Sequence, residues 1–263
     1  MLLAPIATLL EMAAVNNGFD RELPRAGGWL AFASTQAPLT VWLRPHGVVG
    51  CLVALSLPGV ARALDTYGDA TGEALPPGAR AARAFPDFPS LHRFLRRAFQ
   101  LAKSLPDELL HAFEKKTRSL PRTTEAERLV VQRVGQDLFR DGLLDYWEGR
   151  CAVTGLAVPE LLRASHIKAW ARCESDVERL DVFNGLLLAP HLDAAFDRGF
   201  ITVADDGEIV VSPVLGAADR RAIGLDAPLR VASLVDGHRA YLRWHRATYF
   251  KERGGPSATS QSG

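Results

Sequence analysis

Residues 151–203 run CAVTGLAVPELLRASHIKAWARCESDVERLDVFNGLLLAPHLDAAFDRGFITV. Within this segment His166 follows two small residues and precedes Ile167, Asn184-Gly185 precedes three leucines, and Asp193 and Asp197 stand four apart behind His191. A short strand through Ala164-Ser165-His166-Ile167 sends the imidazole toward one face and Ile167 into the core. Asn184 sits at a turn entering the next strand, where its amide can bridge backbone groups or reach a metal. Asp193 and Asp197 share one face of the helix that follows.

Upstream, Thr124 and Glu127 match a capping box, and a long helix should run from there through Tyr146 and Trp147 to the stop at Gly149. Its apolar positions Val130, Val134, Leu138 and Val131, Phe139, Leu143 recur at helical spacing and predict core faces. Downstream, ITVADDGEIVVSP predicts a hairpin turning at Asp206-Gly207, with helices over 217–223 and 238–251. The last residues, 253–263, are too polar to fold and predict a disordered tail.

The N-terminal part is of another kind. A short helix ends near Asn16-Asn17-Gly18, and GWLAFAST, LTVWLRP and GVVGCLVALS predict three strands. Pro58 suits the first turn of a helix through Leu64, and Gly68 to Gly78 predicts a linker. Ser90 is the expected cap of a helix carrying Leu91, Phe94, Leu95 and Phe99 inward, with Arg93, Arg96 and Arg97 on a solvated or phosphate-contacting face. A further helix spans Asp107 to Thr117, and LPRTT forms a second linker. The expected layout is an N-terminal mixed α/β domain over 1–117, a second domain over 123–252 and the tail.

Bulk composition excludes little. The chain has 263 residues, 48% hydrophobic, and a formal charge of +1, so nucleic-acid contact would need local patches. Three cysteines, Cys51, Cys151 and Cys173, form no disulfide framework or four-cysteine zinc site and suit a reducing, cytoplasmic setting. The opening MLLAPIATLLEMAA lacks a basic leader and no segment suits a membrane span.

Hydrolysis of a phosphodiester needs a base to activate water, a cation to stabilise the charge on phosphate and leaving oxygen, and a group that fixes the base's tautomer. The 151–203 segment holds the residue types for all three. Its ordered elements, Cys151-Ala152-Val153-Thr154-Gly155, Ala164-Ser165-His166-Ile167, Asn184-Gly185-Leu186-Leu187-Leu188 and Phe196-Asp197-Arg198-Gly199, resemble the HNH endonuclease family, in its restriction-type branch. The likeness covers about Thr123 to Pro213.

That resemblance implies an α+β chain whose C-terminal module is a ββα-metal fold behind a preceding helix. It implies His166 as the general base, and Asn184 as the residue that orients the loop or ligates the ion. Asp193 falls where the family has its last metal-binding histidine, with His191 and Asp197 as further candidate ligands. The implied cofactor is Mg2+ or Mn2+, without structural zinc, since Ala189 and Leu192 occupy two expected cysteine positions. The implied partner is DNA, with Arg163, Lys168 and Arg198 as phosphate contacts, no membrane, and a homodimer for cutting both strands. Ser165, where relatives carry a ligand, and Asp193 at the last motif position motivate the alternative of an inactive nucleic-acid-binding module that keeps the fold. In the N-terminal domain, Trp29, Phe32 and Trp42 form either a core or an aromatic pocket for a flipped base.

Overall fold

The computed structural model describes residues 4–47, 49–121 and 123–252. It divides into two compact units, Met1–Glu108 and Leu109–Gly263. The expected tail at 253–263 lies outside the described residues.

The first unit is a six-stranded sheet with helices. In chain order it comprises α1 (Ala4–Val15), β1 (Arg21–Ala26), β2 (Trp29–Ala33), β3 (Thr40–His46), β4 (Gly50–Leu55), α2 (Pro58–Ala63), β5 (Asp69–Ala70), β6 (Ala81–Phe85) and α3 (Phe88–Ser104). The strands lie in the order β1-β2-β3-β4-β6-β5, antiparallel throughout. Register places Leu23, Ala31, Trp42, Ala54 and Ala82 in one row across five strands. The helices α1 and α3 pack on the sheet and on each other, while Trp29, Ala31, Trp42, Leu52 and Ala54 form a buried apolar cluster of their own, covered by Leu23, Ala79, Ala82 and Ala84.

Three of the six strands escape the apolar pattern. The strand β1, RELPRA, is an edge, mostly exposed, and its Pro24 sits where the register shifts between Leu23 and Ala26. The strand β6, AARAF, pairs with both β4 and the two-residue β5, so Gly68–Gly78 is a connection inside the sheet and not a linker. Gly78 lies against the Trp42 ring. Trp29, Phe32 and Trp42 are all buried, so the structure makes them core and not a base pocket. The N-cap of α3 is Asp87, not Ser90: the Asp87 carboxylate accepts the Ser90 amide at 2.7 Å. Arg93 and Arg96 lie exposed along α3, opposite its buried Leu91, Phe94, Leu95 and Ala98.

The second unit starts within α4 (Pro106–Thr117). The helix α5 (Glu125–Tyr146) follows, opened by the expected Thr124–Glu127 capping box. Two glycines of α5, one heptad apart, let it be approached closely. A Cβ on Gly142 would meet Leu109 at 2.5 Å, and one on Gly135 would meet Trp170 at 2.5 Å and Phe113 at 3.3 Å. Leu109 and Phe113 thus tie α4 to α5, which is why the units part at residue 108 and not in the 118–122 segment. Val131, Leu138, Phe139 and Leu143 are buried as expected, whereas Val130 is exposed.

Beyond α5 come β7 (Arg163–His166), α6 (Asp176–Leu180), β8 (Gly185–Leu188), α7 (Pro190–Asp197), β9 (Ile201–Val203), β10 (Ile209–Val211), α8 (Ala217–Ala222) and α9 (Asp236–Thr248). β7 and β8 form an antiparallel pair in which Ser165 faces Leu186 and His166 faces Gly185. The α7 helix follows β8 at once, so two antiparallel strands and a helix occur in the order β, β, α. A second hairpin, β9 with β10, turns where Asp206-Gly207 was expected to turn it, with Gly207 at φ +95°. Among the described residues, no helix is long and apolar enough to cross a membrane, and the three cysteines are free and buried.

Candidate functional site

His166 ends β7. Its ring stacks on Phe139 of α5, centroids 3.7 Å apart at 16°, and meets Trp170 edge-on. The stack depends on Gly185, the β8 partner of His166: a Cβ there would sit 2.5 Å from Phe139 Cζ. The glycine of Asn184-Gly185 is therefore needed for a close approach and not for a turn, since its backbone is extended at φ −148°. The ring's Nε2 lies 2.9 Å from the Arg179 carbonyl. A carbonyl oxygen only accepts, so Nε2 carries the hydrogen and Nδ1 keeps the lone pair. Burial, opposed in part by the bond to the Arg179 carbonyl, pushes the imidazolium pKa down to about 4. The ring is neutral at pH 7.

Asn184 is fully buried, and all its polar capacity goes to the 168–178 loop. Its Oδ1 accepts the Lys168 amide at 2.7 Å, while Nδ2 donates to the carbonyls of Lys168 (3.2 Å) and Glu178 (3.1 Å) and faces Cys173 Sγ at 3.4 Å. Of the two roles expected for it, this geometry matches the loop-orienting one. The same loop is held by Lys168 Nζ on the Glu178 carboxylate (2.8 and 3.0 Å) and by the Arg179 side chain on the Trp170 and Cys173 carbonyls. These bonds fix the carbonyl that orients His166. Lys168, expected on a phosphate, is thus half-buried in an ion pair.

Beside His166 the chemistry is acidic. A cavity of about 430 Å³ is lined by Arg163, Ser165, His166, Trp170, Asp193 and Asp197, among others. Ser165 is buried and its hydroxyl faces Asp197 Oδ1 at 3.4 Å. Although Asp197 is exposed at the rim, the protein packed around its carboxylate and then the neighbouring Asp193 push its pKa up to about 6. Two carboxylates one helical turn apart gather charge that a cation would relieve. Arg163 is exposed and borders the same cavity. His191 on α7 and Arg198, the C-cap of that helix, are exposed and are not among the lining residues.

Two lining residues, His245 and Tyr249, come from the end of the chain and were not expected. The one available signal was that His238, Leu242 and His245 share a helical stripe that is buried. Together with His166, the second unit holds three histidines whose pKa is pushed down to about 4, in each case chiefly by burial. His238 sits among Tyr146, Trp147 and Phe183, and its Nδ1 accepts the Val235 amide.

The sign of the resulting pH dependence is direct. A histidine whose folded pKa lies below its unfolded value stabilises the fold fully above about 6.5, and that stability is lost as pH falls toward 4. Urea unfolding should show the second unit losing up to about 1.4 kcal/mol per pH unit per neutral histidine across this window. Asp197, its pKa raised to about 6 chiefly by burial, opposes part of the loss below that pH, and Asp181, also raised by burial, acts in the same direction. His238→Leu should flatten the profile, and a profile that is flat already in wild type would show that burial does not hold these histidines neutral.

Among the described residues no three His, Cys, Asp or Glu side chains cluster as a metal site. What converges is two carboxylates and a hydroxyl. Such a hard-oxygen set suits a magnesium-like ion, which binds through one or two carboxylates and keeps waters or substrate phosphates as its other ligands. Residues 151–204 match the model of a family described as HNH endonuclease. The match supports the HNH family for this segment, and with it nuclease activity. No curated protein matches the chain.

Proposed function

We propose that the second unit is a metal-dependent DNA endonuclease in which His166 activates water and Asp193 and Asp197 hold one divalent ion. The observation that carries this reading is that a tautomer-fixed imidazole and a carboxylate pair border one cavity. With Nε2 occupied by the Arg179 carbonyl, Nδ1 is the atom that takes the proton from the attacking water. An imidazole of such low proton affinity requires an acidified water, and a bound Mg2+ or Mn2+ supplies that acidification and stabilises charge on the phosphate. Arg163, which borders the cavity, would hold a phosphate oxygen. Asn184 acts through the loop, and His191 has no part in this reading.

Supercoiled plasmid, unmodified and modified, incubated with the full chain and Mg2+ or Mn2+ tests the proposal. Nicking is expected with either ion. Asp193→Asn with Asp197→Asn should cost at least about tenfold in Mn2+ affinity by calorimetry, in line with removal of anionic oxygens from a hard cation. Failure of wild type to nick any substrate would favour the second reading, a module that keeps the fold without catalysis. Ser165 motivates that reading, because a hydroxyl is a weaker ligand than a carboxylate. A restriction role, with the first unit recognising the target through residues such as Arg93 and Arg96 on α3, extends the proposal.

A further inference from the structure

We infer that the working site extends past residue 204, and that His245 of α9 is a positioning residue for the helix bearing Asp193 and Asp197. The inference rests on the nuclease reading above. His245 is 1% exposed and its ring lies flat on Phe196, centroids 3.9 Å apart at 5°. Its Nε2 is 3.1 Å from the Phe196 carbonyl, which fixes the hydrogen on that nitrogen. Its Nδ1 then accepts the Thr202 hydroxyl at 3.0 Å. One ring thereby joins the last turn of α7, one residue before Asp197, to β9. The same ring borders the cavity that Asp193 and Asp197 line.

Burying an imidazole costs free energy that a phenyl ring of similar shape would not, unless both nitrogens are bonded. Here both are. The bonds are directional, and they hold the Phe196 carbonyl, which also accepts the Gly199 amide at 2.9 Å. Packing alone would be met by phenylalanine. Histidine at this position adds control over where the end of α7 lies, and so over the spacing of its carboxylates. Groups that orient metal ligands in this way typically contribute tenfold to a hundredfold in affinity or rate.

The test compares wild type with His245→Phe and His245→Gln in the full chain, by thermal unfolding, calorimetric titration with Mn2+ alone, and plasmid nicking. His245→Phe should remain folded, bind Mn2+ about tenfold more weakly and lose about tenfold in kcat at saturating Mn2+, with KM for DNA unchanged. His245→Gln, which can restore one bond, should fall between. If His245→Phe does not fold, Thr202→Val removes only the partner of Nδ1 and should weaken Mn2+ binding and rate in the same direction by less. A folded His245→Phe, or failing that Thr202→Val, with wild-type Mn2+ affinity and kcat overturns the inference while leaving the nuclease reading intact. A wild type that neither binds Mn2+ nor nicks DNA removes the nuclease reading and this inference with it.

Discussion

Replacing His166 with alanine should lower the nicking rate by about a thousandfold, within the range for loss of a general base, while the chain stays folded. The rate loss follows from the single lone pair that the geometry leaves on the ring. With Nε2 committed to the Arg179 carbonyl, Nδ1 is the ring nitrogen left to take a proton. Alanine also removes the stack on Phe139, so some stability is lost. Circular dichroism and thermal unfolding separate that loss from the chemical one. The pH dependence is a second check. Because the ring's pKa is pushed down to about 4, the wild-type rate should show no loss of the base between pH 8 and 6. A His166→Ala protein that is folded and nicks at the wild-type rate would falsify the role assigned to this residue.

The parts of the site that were legible in the sequence are those set by local periodicity. Strand alternation separated His166 from Ile167, and helical spacing put Asp193 and Asp197 on one face, because each depends on residues a few positions apart. The capping box at Thr124 and the Asp206-Gly207 hairpin are local in the same sense. What escaped is tertiary. Nothing in the order of residues announces that the Arg179 carbonyl meets His166, or that Phe139 passes beneath Gly185 to reach the ring. Asn184 shows the same limit from the other side. An amide can ligate, cap or bridge, and only the fold shows it spent on Lys168 and Glu178. In the first unit, β1 and β6 were missed because an edge strand and an alanine-rich strand lack the β-branched, alternating pattern that marks a half-buried one.

Gly199→Ala should destabilise the second unit by about 3 kcal/mol or more, lowering its Tm by roughly 10 °C, even though the change adds one methyl group. Two independent requirements meet at this residue. The first is conformational. Gly199 has φ +69° and ends α7, with its amide on the Phe196 carbonyl and the Phe200 amide on the Ala195 carbonyl, so the last turn closes only through a left-handed residue. Any L-residue there is strained by about 1–2 kcal/mol. The second is steric. A Cβ on Gly199 would lie 1.9 Å from the Tyr249 carbonyl oxygen, so the chain following α9 must move. That segment is held on Gly199 by the Lys251 amide, 3.0 Å from the Gly199 carbonyl, and by the Ser212 hydroxyl on the Lys251 carbonyl. Displacing it shifts Tyr249, which borders the cavity, so nicking should fall along with stability. Gly155 supplies the control. It too is left-handed, at φ +71°, but a Cβ there meets nothing within 4 Å. Gly155→Ala should therefore cost only the conformational part, about 1 kcal/mol, with activity kept. Equal losses of stability in the two variants would show that the Tyr249 contact is not what demands glycine at 199. A loss at 199 well above that at 155 would place the demand on the passage of the 249–251 segment over the end of α7.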